Sequence, residues 1–153
     1  MVARPDNYPQ APAHLWEHFF QISQIPRPSG EEAAVRDYIV DLANSHSYPS
    51  RTDAAGNLLV SVTGSAGREL EAPVIIQNHL DMVTVKTADS EHKFSADPLS
   101  LQVVDGCLSP DRTTLGADHG LGCAADVAQM TDVNVSHPAL DFLFIAHDAH
   151  GTE

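Results

Sequence analysis

Two short, continuous apolar runs constrain the fold of this chain more than any other feature. One run covers residues 73–78 and the other covers 139–146, and both contain β-branched or aromatic side chains. Runs of this length and composition are typical of strands that are buried on both faces, as in parallel or mixed sheets covered by helices. Both runs are therefore predicted to be buried strands of an α/β fold.

The first part of the chain carries the pattern of two helices. The apolar residues of 14–24 follow a helical period, and Pro26 ends the pattern because proline lacks the amide donor and clashes with the preceding turn. The next segment opens with Ser29-Gly-Glu-Glu32, which matches a capping box. In a capping box the serine hydroxyl and the glutamate carboxylate each bind the other residue's backbone amide. A second helix is therefore predicted from this box to about Asn44.

The rest of the chain continues the alternation of helices and strands. Residues 58–62 follow a Gly-Asn turn and are predicted to form a strand, and residues 120–130 are predicted to form a helix. The whole pattern favours an α/β fold in which helices sandwich a mixed sheet. Residues 1–13 contain three prolines and are predicted to be an N-terminal arm, with one domain over 14–153.

The charge balance excludes several classes of function. The 153 residues include 8 Lys+Arg and 21 Asp+Glu, which gives a formal net charge of -13. Such an acidic surface repels phosphates, so neither a nucleic acid nor an anionic membrane is expected as a partner. No apolar run approaches the roughly 18 residues of a membrane span, and the first ten residues lack the apolar segment of a secretory signal. The chain is therefore expected in the cytoplasm.

A histidine and an aspartate directly follow the first apolar run. Ligands of α/β sheets gather at the carboxyl ends of strands, and a spacing of two in extended backbone places His79 and Asp81 on the same side. A neutral imidazole binds a metal there while the carboxylate orients the ring. The alternative is a structural role, as a satisfied polar pair without a metal.

A second motif covers residues 114–122 and has Asp118 at its centre. Three glycines within seven residues permit close backbone approach, and the two carboxylate oxygens of Asp118 can each bind one cation. The glycine spacing does not match the fingerprint of a nucleotide-binding loop. The alternative is a tight turn that precedes a helix.

Taken together, the order and spacing of these motifs resemble the aminoacyl-histidine (Xaa-His) dipeptidases, a branch of the M20 family of two-zinc peptidases. The matching pieces lie at 25–32, 53–57, 77–83, 92–98 and 113–122. The resemblance extends from about residue 15 to residue 151. It implies that the chain is the N-terminal part of a zinc-peptidase catalytic domain, apparently truncated.

The resemblance also implies roles for individual residues. His79 would bind one zinc ion, Asp118 would bridge two, and Asp81 would orient the site. The peptide bond after the bridging aspartate is typically cis in the family, although His119 stands here where the family usually has asparagine. The implied reaction is hydrolysis of a dipeptide with C-terminal histidine by a water that two zinc ions activate. Intact relatives are implied to be homodimers.

The sequence departs from the family at its catalytic Glu-Glu pair. Asp148 stands at the catalytic glutamate and is one methylene shorter, while Ala149 stands at a metal-binding glutamate. A misplacement of about 1 Å can cost about a hundredfold in rate. Later family ligands have no match, so we expect weak zinc binding and little or no peptidase activity from this chain alone. The alternative is an inactive fragment or pseudoenzyme that at most folds or binds a partner.

Overall fold

The structure is a computed structural model that describes residues 2–146. These residues form an α/β fold with a mixed sheet, which confirms the predicted fold class. In chain order the elements are α1 (Ala13–Ser23), α2 (Ala33–Ser45), β1 (Ser50–Thr52), β2 (Leu58–Val62), β3 (Val74–His79), β4 (Leu101–Val104), β5 (Cys107–Pro110), α3 (Ala117–Thr131) and β6 (Leu140–Ile145).

The main sheet has four strands in the order β1-β2-β6-β3. Strand β6 pairs antiparallel with β2 and parallel with β3, so the sheet is mixed. Alternate residues of β2 and β6 point into the core and are at most 4% exposed: Leu58, Val60, Val62, Leu140, Phe142 and Phe144. They form one apolar cluster with buried side chains of α1, α2 and α3. The period of two in burial indicates that the helices cover one face of these strands.

Strand β3 is present where the sequence predicts it, but the prediction that both its faces are buried is wrong. Val74 is 44% exposed and Ile75 is 67% exposed. The reason is the position of β3 at the edge of the sheet, where β6 is its one paired neighbour among the described residues. Its last residue, His79, is buried. Edge and central strands can carry the same apolar run, so the run alone does not distinguish them.

The capping box predicted at Ser29 and Glu32 is also wrong. The Ser29 hydroxyl donates to a carboxylate oxygen of Asp81, and the Glu32 carboxylate accepts the N–H of Gly30. Helix α2 begins at Ala33 without a side-chain cap. A hydrogen bond to a carboxylate is charge-assisted and therefore strong, so it turns the Ser29 hydroxyl toward Asp81 and away from the start of α2.

The segment predicted to be an N-terminal arm packs against the first helix. Tyr8 is 2% exposed, and its hydroxyl donates to the carbonyl oxygen of Trp16 over 3.0 Å. The Tyr8 ring also makes an edge contact with Phe20, 5.7 Å between centroids. Residues 2–146 contain no helix that is both long enough and apolar enough to cross a membrane.

We predict that Phe142→Ala lowers the free energy of unfolding by about 3–5 kcal/mol, because the ring is fully buried and its removal leaves a cavity. The matched control is Ile75→Ala, in the neighbouring strand but largely exposed, which we expect to cost less than about 1 kcal/mol. Urea denaturation followed by circular dichroism measures both losses. Equal losses would contradict the assignment of the buried face.

Candidate metal centre

The carboxyl end of β3 positions a buried histidine–aspartate pair. His79 is 6% exposed and Asp81 is 5% exposed. The Nδ1 atom of His79 lies 2.8 Å from Oδ1 of Asp81 and 3.2 Å from the Asp81 carbonyl oxygen. An Nδ1–H that donates to a carboxylate leaves Nε2 unprotonated, which is the form that binds a metal ion. The pair therefore has the geometry of an oriented histidine ligand.

Asp118 lies opposite His79 at the start of α3. The Oδ1 atom of Asp118 is 3.8 Å from Nε2 of His79 and 3.1 Å from Nε2 of His119. The helix is interrupted at this point, since Asp118 has φ −89° and ψ 115°. The Asp118–His119 peptide bond is cis, as the family resemblance implies. This bend brings the side chains of Asp118 and His119 to the end of the sheet where His79 lies.

Three side chains here fit a metal ion. His79, Asp118 and His119 each offer one ligand atom, and these atoms lie within 4.8 Å of one another. Imidazole nitrogens with a carboxylate oxygen are the donors of many catalytic zinc sites. The sequence pointed to His79 and Asp118 as ligands and to Asp81 as their partner, and the fold brings all three together. Asp148, the predicted catalytic residue, lies outside the described residues.

Arg27 links the two motifs from inside the protein. Its side chain is 2% exposed, and its guanidinium donates to the carbonyl oxygens of Leu80 and Asp81 over 2.8 Å each and to that of Gly116 over 2.5 Å. Burial holds the pKa of Arg27 below its ordinary value. One side chain thus joins the loop after β3 to the loop before α3.

The glycines of the second motif make room for this arginine. A Cβ atom at Gly116 would lie 2.6 Å from Nη2 of Arg27, and one at Gly120 would clash with the same atom. Gly116 also has φ +67°, which side chains rarely adopt. The sequence predicted a close backbone approach here, and the groups that approach are Arg27 at both glycines and the Met82 side chain at Gly116.

A polar pair of the half-buried Asn78 and the buried Asp126 supports the strand end behind His79. The Asn78 amide donates to Oδ2 of Asp126 over 2.7 Å, and a Cβ atom at Gly122 would clash with the Asn78 oxygen. Burial raises the pKa of Asp126 to about 7, although the Asn78 hydrogen bond acts in the opposite direction. The Cys123 thiol donates to the His79 carbonyl oxygen over 3.3 Å, so α3 holds this end of β3 through two contacts.

Two of the candidate ligands, His79 and Asp118, line a cleft of about 360 Å³. Ser29, His79, Asp81 and Asp118 are its polar lining, and Met82, Val83 and Leu115 contribute apolar walls. Sequence reasoning missed the role of Arg27 and assigned Ser29 to a helix cap. The signal that could have found Arg27 is a lone arginine between two prolines.

The fold and the site together define an α/β protein with a candidate metal centre of the metallopeptidase type. The chain is 36% identical over 143 residues to the cytosol non-specific dipeptidase of Escherichia coli (strain K12), which covers 94% of this chain and 30% of that relative. The aminoacylhistidine dipeptidase of Vibrio alginolyticus matches with a TM-score of 0.88 and 34% identity, over 92% of this chain and 29% of that one.

The predicted resemblance to an aminoacyl-histidine dipeptidase of the M20 family is therefore confirmed. Aminopeptidase PepT of Bacillus cereus shares the fold, with a TM-score of 0.71 at 17% identity over 90% of this chain and 37% of its own. No family model matches the chain. The chain spans 30% of the length of its curated relative.

We predict that Arg27→Lys lowers the free energy of unfolding by about 3 kcal/mol or more. A lysine keeps the charge but not the planar fork, and each hydrogen bond to a charged group contributes about 1.5–3 kcal/mol. The control is Arg36→Lys, whose side chain is partly exposed and makes two long contacts, 3.5 Å to the Gly56 carbonyl oxygen and 3.7 Å to the Asp37 carboxylate. Urea denaturation compares the two variants, and a loss no larger for Arg27→Lys than for the control would refute the role of the guanidinium.

We also predict a pH-dependent effect of Asp126→Asn. The pKa of Asp126 is about 7 in the folded chain and close to 4 in the unfolded chain, so the folded chain binds more protons between these values. Stability from the neutral carboxyl is present at low pH and is lost as the pH rises through this window. Asp126→Asn has no titrating carboxyl at this position and does not lose this stability. The free energy of unfolding of the variant minus that of wild type should therefore rise by more than about 1 kcal/mol from pH 5 to pH 8.

Denaturant midpoints at several pH values measure this difference. Asp37→Asn is the matched control, because Asp37 is a largely exposed carboxylate on α2. A difference between Asp126→Asn and wild type that stays constant over the window would contradict the raised pKa.

Proposed function

We propose that this chain carries part of the active site of a cytoplasmic metallo-dipeptidase. In the complete site the reaction is the hydrolysis of a dipeptide with C-terminal histidine by a water that two zinc ions activate. The observation that carries the proposal is the orientation of His79, whose Nδ1 is held by Asp81 while Nε2 faces the Asp118 carboxylate across the cleft. The M20 resemblance supports the same reaction class.

The site residues of this chain would have separate roles in the reaction. His79 and Asp118 would hold metal, and Asp81 would keep the His79 ring in its binding orientation. Bound zinc would polarise the peptide carbonyl and lower the pKa of a water molecule. The apolar walls from Met82 and Leu115 suit the uncharged part of a short peptide and exclude bulk water from one side of the cleft.

The substrate class rests on the resemblance. The Vibrio alginolyticus relative is an aminoacylhistidine dipeptidase and the Escherichia coli relative a non-specific dipeptidase, so a dipeptide is common to both. We propose a preference for C-terminal histidine because the motifs of residues 77–83 and 113–122 resemble the Xaa-His branch. We also propose that the complete protein forms a homodimer, as the resemblance implies for intact relatives.

We propose further that the chain alone is impaired. Asp148 would have to accept a proton from water, and its side chain is one methylene shorter than the glutamate usual in the family. Ala149 has no ligand atom. These two residues also favour the second candidate function, an inactive chain that at most folds or binds a partner.

Metal binding tests the proposed site. Calorimetric titration of the purified chain with zinc chloride should show weak binding that His79→Ala reduces by at least about tenfold, since losing even a group that orients a ligand costs about 10–100-fold. The control is His14→Ala, which removes an exposed imidazole of α1. Equal zinc affinity of His79→Ala and wild type would refute the site.

Hydrolysis tests the proposed impairment in the same samples. Release of histidine from Ala-His with zinc present should stay about a hundredfold or more below a typical enzyme turnover of about 10 s⁻¹. Ala-Leu serves as the comparison substrate, and residual activity should favour Ala-His. Turnover at ordinary enzyme rates would show that Asp148 and Ala149 do not impair the chain.

A further inference from the structure

His119 occupies a position that the metal site can use. Its ring lies 4.2 Å from the His79 ring, with 36° between the ring planes, and its Nε2 is 3.1 Å from Oδ1 of Asp118. The resemblance places asparagine at this position in the family, and asparagine offers an amide oxygen, whereas imidazole nitrogen suits zinc and related metals. The substitution thus adds a nitrogen donor beside Asp118.

We propose that His79, Asp118 and His119 bind a single divalent transition-metal ion, such as zinc, as a three-ligand centre. The inference rests on the proposed metal site at His79 and Asp118, and it adds a third ligand and a stoichiometry of one. Three protein ligands with an open fourth position are the usual arrangement of a catalytic zinc ion. The centre needs no ligand from outside the described residues.

Two of the three distances between the donors are close to those around one ion, and the third pair of donors lies within 4.8 Å. Ligand atoms of a tetrahedral zinc ion lie about 2.0–2.2 Å from the metal and therefore about 3.3 Å from one another. The contacts of Oδ1 of Asp118 with His119 Nε2 and His79 Nε2, 3.1 Å and 3.8 Å, lie on either side of that value. His79 is fixed by burial, whereas the side chains of Asp118 and His119 are 85% and 48% exposed and can adjust.

Binding through Nε2 changes the tautomer of His119. The backbone N–H of His79 donates to Nδ1 of His119 over 3.4 Å, so in the neutral ring the proton is on Nε2 and faces the Asp118 carboxylate. A metal ion at Nε2 requires the proton on Nδ1 instead. The hydrogen bond from the His79 N–H to His119 would be lost. The contact between His119 Nε2 and Asp118 would be replaced by one bond from each of these side chains to the metal ion.

A second ion has no comparable set of donors in the part of the chain that the structure describes. Between residues 2 and 146, the one group of three His, Cys, Asp or Glu side chains close enough to hold a metal is His79, Asp118 and His119. We therefore expect residues 2–146 to hold one ion.

Calorimetric titration with zinc chloride tests the stoichiometry and the third ligand. We expect one ion per wild-type chain and at least a tenfold weaker affinity for His119→Asn, which restores the residue usual in the family. His14→Asn is the matched control, because it makes the same change at an exposed histidine away from the site. Thermal unfolding without metal checks that the variants fold alike.

Nitrogen NMR of the wild-type histidines gives a second readout that needs no variant. Addition of zinc chloride should move the His119 resonances from the Nε2–H pattern to the Nδ1–H pattern with Nε2 bound to metal. Weaker binding by His119→Asn and this shift together support the proposal.

Two outcomes would overturn the third ligand while leaving the proposed function intact. One is unchanged zinc affinity of His119→Asn alongside reduced affinity of His79→Ala, and the other is two ions per wild-type chain with unchanged His119 resonances. Unchanged affinity of His79→Ala, or no zinc binding by wild type, would overturn both the proposed site and this inference.

Discussion

The buried guanidinium of Arg27 is the interaction on which the rest of the site depends. Burying a cation is costly unless its donors are satisfied, and Arg27 meets that cost with three carbonyl oxygens from two distant loops. Its Nε has no hydrogen-bond partner among the described residues, so the arrangement is not fully satisfied. Two of these carbonyl oxygens have a further contact, since that of Gly116 accepts the Gly120 N–H over 3.2 Å and that of Asp81 lies 3.2 Å from Nδ1 of His79. The ends of β3 and the start of α3 are therefore fixed relative to each other before any ligand is considered.

This constraint explains why the second motif is rich in glycine. The loop before α3 has to approach the guanidinium, and the first turns of the helix have to approach Asn78. Side chains at Gly116, Gly120 or Gly122 would fill the space that these contacts need. The same packing leaves the Asp118 side chain in solvent, where it faces His79. The close packing at the glycines and the exposure of Asp118 both follow from the path of the backbone at the start of α3.

The sequence predicted local structure well and tertiary partners poorly. Helical periods located α1 and α2 because the core face of a helix repeats along the chain, while local composition and turn residues located α3, β2 and β6. The edge position of β3 depends on which strands pair, and no local sequence pattern indicates the pairing. The β4–β5 hairpin was missed although Asp105-Gly106 between two apolar stretches is a strong hairpin signal, and both residues have positive φ.

The same difference between local structure and tertiary partners holds for the site. His79, Asp81 and Asp118 were predictable because their chemistry shows in the residue type and in the spacing from a strand end. Ser29 was assigned to a local cap because Asp81, which accepts the hydrogen bond from its hydroxyl, is far away in sequence. Arg27 had no such signature, since its acceptors are backbone carbonyls, which every residue has. Sequence reasoning finds the groups that could do chemistry more readily than the groups that hold them.

A metal ion at His79, Asp118 and His119 would join the same two elements that Arg27 joins. Arg27 links them from the buried side through backbone carbonyls, and the ion would link them from the exposed side through side chains. Both links place a positive charge between the end of β3 and the start of α3. Since Arg27 already fixes the backbone, the ion would have to order only two partly exposed side chains. The loss of side-chain freedom on binding is then small, which is why three ligands from these two elements are enough to hold one ion.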